Sequence, residues 1–160
     1  MGPRSNSGAR ALAQESNLGC RLQPAGTVPS ARVKALLIVT AAAETATGLA
    51  LAGVPPLVIS LLLGGSLDTP AAQVVARMTG AALISLGVAC WLARNDAGSR
   101  AARGLVGALL FYNAAAVAVL VYAGAGLRLH GIALWPTVVL HAAMAGWCIA
   151  ITMNVKGETR

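Results

Sequence analysis

The feature that most constrains this chain is a set of four long apolar segments, at residues 35–53, 70–93, 104–123 and 131–153. Each has about 19 residues or more, which lets an α-helix cross a hydrocarbon layer of about 30 Å. A lipid interior offers the backbone no hydrogen-bond partners, so such segments cross it as helices. The sequence therefore predicts an all-α fold, a polytopic membrane protein built as a four-transmembrane-helix bundle.

Composition agrees with a membrane location. Hydrophobic residues make up 57% of the 160 residues and charged residues only 11%, whereas a soluble domain carries about 25% charged residues. Much of the apolar content is small, and small residues allow helix backbones to approach closely in lipid. A chain of this length predicts one compact membrane domain and no second folded domain.

The polar segments divide the chain into three parts. Residues 1–33 are rich in Gly, Ser, Ala, Pro and Arg, which is typical of a disordered basic tail. Residues 34–154 form the predicted transmembrane domain, and 155–160 form a polar C-terminal end.

After the first span, Pro55 and Pro56 interrupt the apolar sequence, and each proline removes a backbone donor. The following LVISLLLGG is too short to cross, so we expect a short interfacial helix there. The alternative is a single kinked helix that continues to Leu63.

Lys and Arg are unequally distributed between the two sides of the predicted bundle. They concentrate in the tail, in the loop 94–103 and at the C-terminus, whereas the opposite side has only Arg128. The positive-inside rule then predicts cytoplasmic N- and C-termini in a bacterial inner membrane. Trp91 and Trp147 fall near the predicted inner boundary and Trp135 near the outer one, where tryptophan anchors helices.

The same charge distribution indicates which binding partners to expect. The net charge of +7 lies beside the ends of apolar segments, with no basic face interleaved with aromatic residues, so nucleic acid is not an expected partner. The predicted partners are membrane lipids, and a homodimer or larger membrane complex formed through small-residue faces.

Four polar residues, one in each span, fall at nearly the same predicted depth: Glu44, Arg77, Asn113 and His141. A charge at the bilayer centre costs about 2.5–3.5 kcal/mol on insertion scales, so we expect these groups to face inward and satisfy one another. The sequence predicts a Glu44–Arg77 ion pair, with His141 and Asn113 completing a buried polar layer.

The polar layer has three interpretations. It fixes the register of the helices, or it handles protons or a ligand, or Arg77 reaches the outer surface and leaves Glu44 protonated and unpaired. The residues show no metal-ligand spacing and no catalytic set, because Cys148 lies about 10 Å along the helix from His141. No cofactor is predicted.

Short motifs in the first two spans resemble those of small four-helix bacterial inner-membrane proteins, the DoxX-like group. They are LLLGG at 61–65, Arg77-x-x-Gly80, Leu86-Gly87 and Trp91-x-x-Arg94. The resemblance implies the four-helix architecture. Some members of the group are linked to quinone or thiol redox complexes, so it also implies a redox role as one alternative.

Three functions follow as hypotheses. The first is a membrane scaffold or accessory subunit held together by the polar layer. The second is a proton-coupled transporter-like or small-molecule-binding protein that uses Glu44 and His141. The third is a redox or quinone-linked enzyme subunit. The sequence favours a non-enzymatic role.

Overall fold

The computed structural model describes residues 27–157, which form helices and no strand. Four of the helices are long and apolar enough to cross a membrane. The predicted fold class, a helical bundle of a multi-pass membrane protein, is confirmed. The elements are α1 (Thr27–Gly53), α2 (Pro55–Leu63), α3 (Pro70–Ala93), α4 (Arg100–Val121), a π-helical turn (Tyr122–Gly126) that continues α4, and α5 (Leu134–Gly157).

Helices α1 and α5 extend beyond their apolar segments, and α4 does so at its start, Arg100. Helix α1 begins at Thr27, so residues 27–33 are helical although the sequence places them in the tail, and α5 continues to Gly157. Hydropathy identifies only the part of a helix that is apolar enough for lipid, whereas the helical hydrogen bonds of the backbone continue into the polar residues beside it. Pro29 lies in the first turn of α1, where its missing N–H removes no helical hydrogen bond. Residues 1–26 of the predicted tail and 158–160 lie outside the described residues.

The chain breaks between α1 and α2 at Val54, which has φ −130° and ψ 57°. Pro55 and Pro56 then start a nine-residue helix, about 13 Å long and too short to cross the membrane. Gly64 ends α2 in a left-handed conformation at φ 71°, and its N–H donates to the Ser60 carbonyl. A separate short helix therefore follows the first span, in place of the alternative kinked helix.

Side-chain caps start the next two long helices. Thr69 Oγ1 accepts a hydrogen bond from the Ala72 amide at 3.2 Å ahead of α3. Ser99 Oγ accepts one from the Ala102 amide at 3.0 Å ahead of α4. These bonds satisfy amides that a helix start otherwise leaves without partners.

The four long helices associate as two pairs. Helix α1 packs along α3 to form the first pair, and α4 packs along α5 to form the second. Contacts between the pairs are sparser, and α3 meets α4 at very few positions. We call the end of the bundle with α2 the α2 end, and the opposite end, with residues 94–99, the loop end.

Small residues hold the first pair together. A Cβ atom added to Gly80 would lie 2.7 Å from the Gly48 carbonyl oxygen and 2.8 Å from the Ala52 amide nitrogen. A Cβ atom added to Gly87 would collide with the Thr45 side chain and lie 3.0 Å from the Ala41 carbonyl oxygen. The two backbones thus approach more closely than larger side chains allow, as is typical of helix packing in membranes.

The half of the bundle nearest the loop end contains a cluster of buried apolar side chains. Its buried cluster draws side chains from all four long helices, and several of them have no exposed surface. Leu36, Cys90, Leu109 and Cys148 are examples, one from each helix. This cluster joins the two pairs at the loop end.

Candidate ligand cleft

Between the two pairs, in the half of the bundle nearest the α2 end, the structure contains a cleft of about 570 Å³. All five helices contribute to its walls, and most of the lining side chains are apolar, among them Leu51, Leu62, Leu83 and Leu120. Ligand sites in proteins typically have about 300–1,000 Å³ and are mostly apolar with a few polar groups. The cleft has that size and character.

The cleft opens sideways between α3 and α4. These helices are joined by a short loop at the loop end and make few contacts elsewhere. Val75 on α3 and Val119 on α4 both line the cleft and are 66% and 65% exposed. The opening therefore faces the region that lipid tails occupy around a membrane-spanning bundle.

Helix α2 covers the cleft at the α2 end. Val58, Ile59 and Leu62 contribute to the wall. The helix is attached to the turn between α4 and α5 by the Ala133 amide, which donates to the Leu61 carbonyl at 2.9 Å. Gly131 lies directly against the Leu62 backbone, so this position has no room for a side chain.

Tyr112 and His141 are the largest polar side chains that line the cleft. The Tyr112 hydroxyl donates to Glu44 Oε2 at 3.1 Å. His141 Nδ1 lies 2.8 Å from Asn113 Oδ1, and Asn113 Nδ2 donates to the Leu109 carbonyl at 2.8 Å. The two rings meet edge to face, with centroids 5.6 Å apart. A polar network thus reaches from α1 through α4 to α5.

Two adjacent residues on α4 connect the network to both α1 and α5. Tyr112 and Asn113 are consecutive, so their side chains leave the helix about 100° apart. Tyr112 reaches Glu44 on α1, and Asn113 reaches His141 on α5. Because His141 is seven residues into α5, it lies about 10 Å from the α2 end of that helix. The network is therefore deep within the bundle.

The structure brings Glu44, Asn113 and His141 of the predicted polar layer into one network. Glu44 is 8% and Asn113 2% exposed, and His141 is half-buried. The predicted Glu44–Arg77 ion pair does not form, because Glu44 bonds to Tyr112 and Arg77 lies exposed on α3. Arg77 shares its side of α3 with the exposed Val74 and Met78.

The position of Arg77 has a physical explanation. It lies seven residues from the start of α3, about 10 Å along the helix. Helical side chains lean toward the N-terminus, which for α3 is the α2 end, and a long Arg side chain can extend along lipid toward the interface. Burying the guanidinium in the bundle is thus not required.

Sequence reasoning missed Tyr112. Tyrosine is commonly found at membrane boundaries, so a tyrosine in the middle of a span is itself a signal. Its position beside Asn113, a polar residue already selected, is a second one. A hydroxyl in the membrane interior needs a hydrogen-bond partner, and the carboxylate of Glu44 supplies it.

Two of the three tryptophans, Trp91 and Trp135, lie close to helix ends, and Trp147 lies nearer the middle of α5. Trp91 is near the loop end of α3 and Trp147 in the loop-end half of α5, whereas Trp135 is near the α2 end of α5. Trp91 and Trp135 are 50% and 53% exposed. The Arg94 guanidinium lies 3.6 Å from the centroid of the Trp91 ring, a cation–π arrangement.

Within residues 27–157, no three His, Cys, Asp or Glu side chains are grouped so as to hold a metal ion. Cys90 and Cys148 are free thiols buried in the loop-end cluster.

Comparison with known proteins adds no family. No protein-family model, no curated protein and no solved structure matches this chain. The resemblance of its motifs to the DoxX-like group stays a prediction.

Proposed function

We propose that this protein binds a lipid-soluble small molecule in the cleft between its two helix pairs, with the polar end of that molecule at Tyr112 and His141. The observation that carries the proposal is the combination of an apolar cleft and a polar network at one place in its wall. Elsewhere the lining is nearly all apolar. Such a site suits a molecule with a long apolar body and one polar group.

The opening between α3 and α4 supports entry from the membrane. A molecule dissolved in lipid would pass Val75 and Val119 without crossing water or a charged surface. Glu44 fixes the position of Tyr112, and Asn113 fixes that of His141, each through a hydrogen bond. Ordering of this kind lowers the entropic cost of binding.

Photolabelling tests the proposal. The probe is a long-chain alkyl alcohol with a diazirine in its chain, added to the purified protein in lipid nanodiscs. We expect saturable labelling of peptides that line the cleft. Ala116→Phe, which fills the cleft, should abolish that labelling, and Ala115→Phe, at the neighbouring exposed position, should not. Equal, unsaturable labelling of all lipid-facing surfaces in the three proteins would overturn the proposal.

For orientation, we propose that the loop end faces the cytoplasm of a bacterium, with the protein in its inner membrane. Arg94, Arg100 and Arg103 lie at that end, and Lys34 of α1 lines the same surface depression as Arg94. The positive-inside rule supports this direction. An impermeant thiol reagent on intact cells should label Asp68→Cys and not Asn95→Cys, and the reverse result would contradict it.

The scaffold or accessory role stays a second prediction. The network spans three helices of the two pairs, which is what a purely structural polar layer would also do. A protein whose cleft takes no probe but whose stability depends on the network would favour that role.

A further inference from the structure

The hydrogen bonds around Asn113 determine where the proton of His141 lies. Asn113 Nδ2 donates to the Leu109 carbonyl at 2.8 Å, so the amide is oriented with Oδ1 toward His141. That oxygen can only accept a hydrogen bond. His141 Nδ1, 2.8 Å away, must therefore be the donor and carry the hydrogen.

A neutral imidazole has a single N–H, so a proton at Nδ1 leaves Nε2 as an acceptor. A charged imidazolium would be costly at this depth in a membrane. Nε2 forms no hydrogen bond within the part of the chain that the structure describes, and the His141 side chain lines the cleft. Nε2 is thus the ring nitrogen left for a bound molecule.

Tyr112, like His141, offers the cleft a hydrogen-bond acceptor and no donor. Its hydroxyl hydrogen is given to Glu44 Oε2, so the hydroxyl oxygen can offer only its lone pairs to another group. Both polar side chains of the network that line the cleft therefore present acceptors. A ligand whose polar end is also only an acceptor, such as an ether or a ketone, would leave acceptors facing one another without a bond.

We propose that the cleft selects lipid-soluble molecules that end in a hydroxyl group, an alcohol or a phenol, which donates its hydrogen to His141 Nε2. Asn113 is a positioning residue: it touches no ligand and fixes the imidazole with Nε2 as an acceptor. This inference rests on the proposed function, because it names the chemistry of the molecule that the cleft binds. A site built around a hydrogen bond discriminates against analogues that cannot form it.

Two matched photoprobes test the selection. One is the diazirine alkyl alcohol and the other its methyl ether, which has the same chain and no donor. We expect the alcohol to label the cleft with about tenfold higher apparent affinity, the ratio that 1.4 kcal/mol gives. Equal affinity of both probes for the cleft would overturn the inference and leave the proposed function standing. Failure of both probes to label the cleft would overturn the proposed function.

The protein also gives a spectroscopic test that leaves the cleft and its polar network unchanged. In protein labelled with ¹⁵N in its imidazoles, the shifts of His141 should show hydrogen on Nδ1 and an unprotonated Nε2. His130, exposed in the turn before α5, serves as the internal reference, and His130→Asn assigns the signals. A His141 ring with its hydrogen on Nε2 would contradict the inference.

Asn113→Leu tests the positioning role. We expect the variant to lose the preference for the alcohol over the ether while the ether still labels the cleft, which shows that the cleft persists. A purely structural role for Asn113 would not change the ratio between two probes of the same shape. An unchanged preference in a labelled, folded variant would overturn the role assigned to Asn113.

Discussion

Helix α3 packs along α1 through glycine and alanine, yet it meets α4 at very few positions. In the first interface a Cβ on Gly80 would touch backbone atoms of α1. In the second, larger side chains such as Val75, Leu83 and Val119 stand apart around the cleft. One helix therefore has a closely packed side and an open side.

The difference shows what holds helices together in lipid. Lipid tails are as apolar as the helices, so helices associate where their backbones can approach or where polar groups pair. The first pair uses the close approach. The two pairs are joined instead by the loop-end cluster, by α2 and by the polar network, which leaves space between them.

The α1–α3 interface should be the most sensitive to added volume. We expect Gly80→Ala to destabilise the protein by about 3 kcal/mol or more, because the new Cβ meets backbone atoms that cannot move without separating the helices. Gly107→Ala on α4, where nothing lies within 4 Å, is the control and should be neutral or stabilising by up to about 1 kcal/mol. Unfolding in mixed micelles measures both, and equal effects would contradict the contrast between interfaces.

The attachment of α2 should be the next most sensitive. Gly131→Ala should cost about 2 kcal/mol, since its Cβ collides with the Leu62 backbone and breaks the contact between α2 and the α4–α5 turn. Backbone amides of α2 should then exchange hydrogen faster than in the wild type. Gly65→Ala, with open space around it, should leave exchange in α2 unchanged. If α2 exchanges equally in both variants, it is not held by this contact.

Double-mutant cycles should locate the partner of Glu44 in the interface between pairs. Glu44→Gln combined with Tyr112→Phe should show a coupling of about 1.5 kcal/mol, near the upper values found for hydrogen bonds between membrane helices. Glu44→Gln combined with Arg77→Met should show a coupling near zero, because Arg77 lies exposed on α3. A large coupling to Arg77 and none to Tyr112 would restore the ion pair predicted from the sequence.

Much of the fold could be predicted because it depends on quantities that a sequence displays directly. Length and hydropathy give the spans, and Pro55 and Pro56 give the break before α2. Helix ends were harder, since α1 continues through residues 27–33 where hydropathy no longer requires it. Glycine in a membrane helix is typical of close contacts, and Gly80 and Gly87 are the positions at which α3 lies against α1.

For the site, only the depth of its residues in the membrane could be predicted from the sequence. Counting residues from the span ends placed Glu44, Asn113 and His141 at one level, and the structure joins the three through Tyr112. The depth of a residue does not tell which side of its helix the side chain is on. Arg77 follows the buried Ala76 by one position, so a turn of about 100° separates a buried side chain from an exposed one.

The smallest expected effect concerns Thr40, whose buried hydroxyl has no hydrogen-bond partner in the described structure. It lies 1% exposed on α1, four residues before Glu44, whose carboxylate does have a partner. Because an unpaired buried hydroxyl costs about 1–3 kcal/mol, Thr40→Val should stabilise the protein by about 1 kcal/mol.

The control for Thr40 is Thr137→Val on α5. Its hydroxyl donates to the Ala133 carbonyl at 2.7 Å, so the same change removes a formed bond and should not stabilise. Both variants keep side-chain shape, so their difference in unfolding free energy isolates the hydroxyl. A stabilised Thr40→Val would show that the interior of the bundle tolerates an unpaired hydroxyl on α1. A destabilised Thr40→Val would show that the Thr40 hydroxyl does form a hydrogen bond in the folded protein.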